Sequence, residues 1–92
     1  MDQEQDQIVM YWRPDCVYCL GLILRLRSTR LRYQKVDIRK DPAARAFVRS
    51  VADGNETVPT VVVAGRALVN PSKRQLIEVV RRYAPHALGT LA

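Results

Sequence analysis

Two cysteines separated by two residues, Cys16 and Cys19, are the only cysteines in this 92-residue sequence. They follow an apolar stretch from Ile8 to Trp12 and a break at Pro14, and they precede residues that favour a helix. The pattern therefore predicts a strand, a turn and a helix whose first turn holds both cysteines. Unpaired N–H groups and the helix dipole give that end of a helix partial positive charge, which stabilises a thiolate.

This placement predicts different roles for the two sulfur atoms. Cys16, at or near the helix N-terminus, is the expected nucleophile, and Arg13 adds positive charge beside it. Cys19, one turn further in and nearer the core, could resolve a mixed disulfide formed at Cys16. The alternatives are half of a zinc site and a pair of inert, buried cysteines. Structural zinc needs four ligands, and His86 is the only histidine, so we expect no metal.

Length, composition and charge limit the other possible functions. We expect one domain at residues 8–84, with a disordered tail at 1–7 and a C-terminal tail at 85–92. No apolar run approaches the roughly 18 residues of a membrane span. The acidic N-terminus does not resemble a secretion signal, so we expect a cytoplasmic protein. We also expect a monomer. The formal charge is +6, but the basic residues are scattered without interleaved aromatic residues, so we do not expect nucleic-acid binding.

The order of the predicted elements is β-α-β-α-β-β-α. The first helix is expected at about residues 16–30, with Leu20, Ile23 and Leu24 packed against the sheet and a neighbouring helix. A β-α-β unit makes parallel neighbours and the terminal hairpin adds antiparallel strands, which predicts an α/β fold with a four-stranded mixed sheet and helices on both faces. The cysteines then lie at the carboxyl end of the first strand, where open α/β sheets place their sites.

Two polar residues are predicted to begin the later helices. Asp41 is the expected N-cap of a helix with Pro42 at its first position, and the Asn70-Pro71-Ser72 turn is expected to cap the last helix.

Thr57-Val58-Pro59 forms a second notable group, directly before a β-branched stretch. A proline is tolerated at a strand start because no N–H is needed there. A cis Val58–Pro59 bond would turn the backbone so that Val58 presents its N–H and C=O beside the cysteines. An extended thiol or peptide could then pair with Val58 as an added strand. The residues alone leave the cis and trans forms open.

The sequence resembles the glutaredoxins, a family of the thioredoxin superfamily, from residue 8 to about residue 83. The resemblance implies the thioredoxin fold, a cis Val58–Pro59 bond and a redox-active Cys16–Cys19 disulfide. The motifs in family order are Tyr11, Cys16-Val17-Tyr18-Cys19, Val36-Asp37, Thr57-Val58-Pro59-Thr60 and Gly65. Further motifs resemble the actinobacterial mycoredoxins, which use mycothiol in place of glutathione: residues 47–51, 53–61 and 70–72.

The resemblance to mycoredoxins implies a thiol–disulfide oxidoreductase that removes mycothiol from mixed disulfides of proteins or small molecules. It implies no bound cofactor, because mycothiol is the reducing co-substrate and NADPH acts through a disulfide reductase. Pro14-Asp15 and Val17 depart from the mycoredoxin pattern, which commonly has Trp before the first cysteine and a small residue or proline after it. The implied contacts with the small thiol are Arg13, Tyr18, Thr57, Val58, Pro59, Asn70 and Ser72.

Three other functions remain open at this point. One is a glutaredoxin-like electron donor to ribonucleotide reductase, recharged by thioredoxin reductase; Val17 is compatible with it, whereas Tyr18 argues against it. Another is a module in which two chains share an iron–sulfur cluster or other metal through Cys16. The third is a redox-silent adaptor that binds a protein through the apolar face of the first helix.

Overall fold

The computed structural model describes residues 8–88. The predicted tail at 1–7 and residues 89–92 of the predicted C-terminal tail lie outside the described residues. The order β-α-β-α-β-β-α is confirmed. The elements are β1 (Ile8–Trp12), α1 (Val17–Leu26), β2 (Gln34–Asp37), α2 (Pro42–Val51), β3 (Thr60–Val63), β4 (Arg66–Val69) and α3 (Lys73–Tyr83). Short 3₁₀ turns lie at Arg27–Thr29, Ile38–Lys40 and Pro85–Ala87.

The four strands form one mixed sheet in the order β2-β1-β3-β4. β1 is parallel to β2 and antiparallel to β3, while β3 and β4 form an antiparallel hairpin. Because β3 runs opposite to β1, Tyr11 near the end of β1 pairs with Thr60 at the start of β3. The segments after β1 and before β3 therefore meet at one edge of the sheet.

The sheet has helices on both faces, as predicted. Successive side chains of a strand point to opposite faces, so each face presents apolar residues for a helix to cover. α1 and α3 cover one face, and α2 covers the other. The first core contains Ile8, Met10, Val61 and Val63 of the sheet with Leu22, Leu26, Leu76 and Val80 of the helices. The second core centres on Ile38, Ala44 and Val48. Within residues 8–88 no helix is long and apolar enough to cross a membrane.

The predicted starts of the second and third helices are confirmed. Asp41 accepts a hydrogen bond from the Ala44 N–H at 3.1 Å, and Pro42 begins α2. Ser72 accepts one from the Gln75 N–H at 3.1 Å, and the Gln75 side chain accepts the Ser72 N–H at 2.9 Å. This reciprocal capping box satisfies two N–H groups that a helix start leaves unpaired.

The first helix is shorter than predicted. α1 ends at Leu26, where the chain tightens into the 3₁₀ turn and the Thr29 hydroxyl donates to the Leu26 carbonyl at 2.7 Å. Arg30 then takes a left-handed conformation, with φ of 58°, which ends the helical path.

The expectation that Leu20, Ile23 and Leu24 all pack inward is wrong for two of the three. Ile23 packs against the first core, whereas Leu20 and Leu24 are 42% and 60% exposed. The buried face of α1 is centred on Cys19, Leu22 and Leu26. Leu24 projects away from that face, because two residues along a helix turn a side chain by about 200°.

Residues 85–88, which belong to the predicted C-terminal tail, continue the packing. Ala84 and Ala87 are buried in the first core, and the Ala87 carbonyl accepts the Arg32 N–H at 2.8 Å.

We expect Leu76→Ala to lower the free energy of unfolding by about 2–5 kcal/mol, because removing a fully buried leucine side chain leaves a cavity. Leu24→Ala is the matched control, since it makes the same chemical change at an exposed position. It should alter stability by less than about 0.5 kcal/mol. Urea unfolding of both variants measures the difference, and equal losses would contradict the assigned core.

Candidate active site

Cys16 is reached through a tight turn, Arg13-Pro14-Asp15-Cys16, that follows β1. The Cys16 N–H donates to the Arg13 carbonyl at 3.2 Å and closes the turn. Pro14 stands at the second turn position, where its fixed φ is favourable. The Asp15 carboxylate accepts two hydrogen bonds from the Arg13 guanidinium, at 3.1 and 3.4 Å. The turn leads the chain directly from the end of the strand to the start of α1.

Cys16 is itself the N-cap of α1, so the prediction that it lies at the helix N-terminus is confirmed. Its Sγ accepts the Cys19 N–H at 3.2 Å, and its thiol donates to the Val58 carbonyl at 3.6 Å. The side chain is only partly buried, which leaves the sulfur within reach of solvent. A thiolate would keep the bond from the Cys19 N–H, which becomes charge-assisted, and would lose the bond to the carbonyl.

Cys19 lies one turn further along α1 and is completely buried. Burial, together with its hydrogen bond to Cys16, raises the pKa of the Cys19 thiol to about 12. The Cys19 thiol is therefore protonated at neutral pH. The two cysteines are not joined by a disulfide in this structure. The helix thus holds one accessible sulfur and one buried, neutral sulfur.

The segment before β3 approaches Cys16 from the other side. The Val58–Pro59 bond is cis, as the resemblance implied. The Val58 side chain packs against the second core, which leaves its carbonyl beside Cys16. The Thr60 hydroxyl donates to the Thr57 carbonyl at 2.8 Å and fixes the bend. The N–H and the carbonyl of Val58 were both expected to face the cysteines, and the carbonyl does so.

The turn before α3 is bonded to the same segment. The Asn70 N–H donates to the Pro59 carbonyl at 2.7 Å. Asn70 has a positive φ of 52°, a conformation that asparagine tolerates better than most residues. Hydrogen bonds therefore connect Cys16 to Val58 and, through Pro59, to Asn70.

A groove of about 570 Å³ lies between α1 and the turn before α3. Gly21 leaves room in it for Arg25, since a Cβ at that glycine would lie 3.1 Å from the Arg25 guanidinium. The polar and charged side chains that line it are Tyr18, Arg25, Asn70, Ser72, Lys73 and Gln75. The remaining lining residues are Val17, Gly21, Leu22 and Pro71.

The predicted contact residues fall into three places. Tyr18, Asn70 and Ser72 meet in the groove, although the Ser72 hydroxyl already caps α3. Thr57, Val58 and Pro59 form the bend beside Cys16. Arg13 is bound by Asp15.

Sequence reasoning missed two cations of the groove, Arg25 and Lys73. A signal for Arg25 existed, because Tyr18, Gly21 and Arg25 are spaced by three and four residues and share one helix face. Lys73 follows the predicted cap Ser72 and could have been placed with it.

Two ion pairs, Arg13–Asp15 and Arg39–Asp37, lie at this edge of the sheet. Asp37, the last residue of β2, accepts hydrogen bonds from the main-chain N–H and the guanidinium of Arg39, at 2.9, 3.2 and 3.0 Å. The hydrogen bond from Arg13 lowers the pKa of Asp15, and the charge of Arg39 contributes in the same direction. Asp15 therefore lies in the field of two arginines.

Comparison with known proteins identifies relatives of this chain. A family model described as Glutaredoxin matches residues 8–68, a range that includes both cysteines and the cis-proline bend. A Mycobacterium tuberculosis protein provisionally named a glutaredoxin is 43% identical over 77 residues, which cover 78% of this chain and 92% of that protein. Mycoredoxin 1 of Corynebacterium glutamicum is 32% identical over 78 residues, which cover 84% of this chain and 96% of that protein.

A solved structure supports the fold. The glutaredoxin of Archaeoglobus fulgidus superposes with a TM-score of 0.70 at 21% identity, covering 86% of this chain and 90% of that one. The predicted thioredoxin fold is confirmed.

We expect iodoacetamide to modify one thiol per folded chain at neutral pH, at Cys16. Because Cys19 is fully buried and burial raises the pKa of its thiol, Cys19 should not react until the chain unfolds. Mass spectrometry of the wild type, Cys16→Ser and Cys19→Ser, each folded and in guanidinium, tests this. Rapid labelling of Cys19 in folded Cys16→Ser protein would contradict the assignment.

Proposed function

The chain belongs to the glutaredoxin family of thiol–disulfide oxidoreductases, and we propose that it reduces mixed disulfides formed with mycothiol. The observation that carries the reaction type is the accessible Cys16 sulfur at a helix N-cap, one turn from a buried thiol. Similarity to Mycoredoxin 1 supports mycothiol as the low-molecular-weight thiol. The groove offers amide and hydroxyl groups, beside the cations Arg25 and Lys73, to the polar part of such a thiol.

The first step is an exchange at Cys16. Its thiolate attacks the mycothiol sulfur of a mixed disulfide, so a Cys16–mycothiol bond forms as the substrate S–S bond breaks. The substrate leaves as a thiolate and takes a proton from solvent. The Cys19 N–H, at 3.2 Å, stabilises the negative charge on Cys16 before attack.

The second step restores Cys16. The thiolate of another mycothiol attacks the mycothiol sulfur bound to Cys16, which releases mycothiol disulfide and returns the Cys16 thiolate. A disulfide reductase then reduces the mycothiol disulfide with NADPH. This monothiol cycle needs no chemistry at Cys19.

Cys19 offers a second route when free thiol is scarce. After losing its proton it attacks the Cys16 sulfur, forms a Cys16–Cys19 disulfide and releases mycothiol. Burial, which raises the pKa of the Cys19 thiol, makes the required thiolate rare at neutral pH. We therefore propose that the monothiol cycle dominates while mycothiol is abundant.

Two surfaces beside Cys16 bind the small thiol in this proposal. The bend formed by Thr57, Val58 and Pro59 offers main-chain hydrogen-bonding groups, beside Cys16, to the part of the thiol nearest the reacting sulfur. Tyr18 and Asn70 contact the remainder from the groove.

The cellular setting follows from the chemistry. The cycle needs a reducing thiol pool and an NADPH-dependent reductase, which supports a cytoplasmic location. We also propose that the working unit is a monomer.

A coupled NADPH-oxidation assay on a mycothiol mixed disulfide tests the function. We expect turnover with mycothiol and its reductase, and none with glutathione and its reductase or with thioredoxin reductase alone. Turnover only with thioredoxin reductase would indicate the ribonucleotide-reductase donor class. Silence in all three, with Cys16 reduced, would overturn the proposal in favour of a metal-binding or adaptor role.

Variants of the two cysteines test the mechanism in the same assay. Cys16→Ser should fall to background, because the other cysteine in the sequence, Cys19, is buried. Cys19→Ser should keep its turnover with excess mycothiol, since the monothiol cycle does not use that sulfur. Loss of all activity in Cys19→Ser, with the fold intact by circular dichroism, would contradict the monothiol route.

Asn70→Gly tests the groove, because glycine keeps the positive φ while removing the side-chain amide. We expect KM for the mycothiol substrate to rise by about two- to tenfold, the value of one neutral hydrogen bond, with little change in kcat. Asp53→Gly is the control, since Asp53 has a similar φ of 56° in the loop after α2. An equal rise in both variants would show a general loosening and remove Asn70 from the binding site.

A further inference from the structure

We propose that Asp15 is a specificity-determining residue. Arg13 is the cation nearest to Cys16 along the chain, and Asp15 neutralises its charge, so Arg13 attracts carboxylate-bearing thiols less strongly. Its consequence for substrates rests on the thiol-exchange function proposed above. Its test measures the reactivity of Cys16 directly and does not depend on that function.

The geometry of the turn carries this inference. Cys16, Asp15 and Arg13 belong to one hydrogen-bonded turn, closed by the Cys16 N–H and the Arg13 carbonyl at 3.2 Å. Within it Asp15 binds the guanidinium at both carboxylate oxygens, at 3.1 and 3.4 Å. Two contacts fix the orientation of the pair, whereas a single contact would leave the guanidinium free to swing.

The neighbouring arginine does not restore the missing charge. Arg39 forms an ion pair with Asp37 at 3.0 Å. Its charge also helps to lower the pKa of Asp15. The two pairs place two cations and two carboxylates at the ends of β1 and β2. The two pairs themselves therefore add little net charge to this end of the sheet, where the charge of Lys40 also acts on Asp37.

The effect of such a pair on an incoming anion can be bounded. Unit charges several ångströms apart near a protein surface interact by somewhat less than 1 kcal/mol after screening, so one added charge should change an anion's rate about two- to fivefold. Asp15 would therefore bias the choice among thiols without being required for exchange. A carboxylate near the reacting sulfur would be disfavoured relative to an uncharged group.

Competing alkylation by iodoacetate and iodoacetamide isolates this charge effect. Both reagents form an Sγ–CH₂ bond at the Cys16 thiolate and expel iodide, but only iodoacetate carries a carboxylate. The ratio of their rate constants at one pH cancels the thiolate fraction, so a change in Cys16 ionisation alone would not move it. Mass spectrometry confirms that each full-length protein gains one group at Cys16.

The ratio of iodoacetate to iodoacetamide rates should follow the charge left on the turn. Asp15→Asn, which leaves Arg13 uncompensated, should raise it about two- to fivefold, and Arg13→Gln should lower it by a similar factor. The ratio in the double variant, Arg13→Gln with Asp15→Asn, should stay near that of the wild type, because the net charge is unchanged. The same holds for Asp15→Glu. The differences should shrink at about 1 M salt, where the Debye length is about 3 Å.

Two results would overturn the inference. One is an unchanged ratio in Asp15→Asn. The other is a raised ratio that persists in the double variant, which would show that Arg13 is not the cation that Asp15 controls. If the ratio follows the charge while no mixed disulfide is turned over, Asp15 keeps its role and the mycothiol function fails.

Discussion

The hydrogen bond from the Cys19 N–H to the Cys16 sulfur is the interaction on which the site depends. It exists because a helix start leaves N–H groups unpaired and because Cys16 occupies the N-cap, where a side chain can accept one of them. The same geometry puts Cys19 on the inward face of α1, where it is buried. A spacing of three residues at a helix start thus leaves one sulfur accessible and hydrogen-bonded to a main-chain N–H, and the other neutral and enclosed.

The sheet topology supplies the remaining groups. β3 must run antiparallel to β1 for its entry, at Val58 and Pro59, to arrive where β1 delivers Cys16. The Pro59 carbonyl then binds the Asn70 N–H, which brings the start of α3 to the same edge. Segments far apart in the sequence therefore converge through strand pairing and this main-chain bond.

The features that could be predicted from the sequence are those set by local rules. The position of Cys16 follows from one strand, one proline turn and one helix, and the caps Asp41 and Ser72 follow from short polar side chains before helical stretches. The cis form of the Val58–Pro59 bond came only from the family resemblance. The Arg13–Asp15 pair escaped prediction because residue types show that two charges are near in sequence, not which partner each selects. The exposure of Leu24 was not predicted for a similar reason. The first helix is apolar on more than one side, so its sequence does not show which side the sheet covers.

The cap of α1 differs from the caps of the other helices in a way that the chemistry requires. Asp41 and Ser72 present oxygen acceptors that stay in place, whereas Cys16 presents a sulfur, a weaker acceptor unless it is ionised. In the proposed cycle Cys16 loses its charge each time it enters a mixed disulfide, so the cap would weaken at that step. The stability of α1 cannot depend on that bond; it must come from packing, and Leu22 and Leu26 provide it in the first core. The helix can therefore keep its position while its cap changes chemical state, and a rigid N-terminus is what gives the returning thiolate the same hydrogen bond each time.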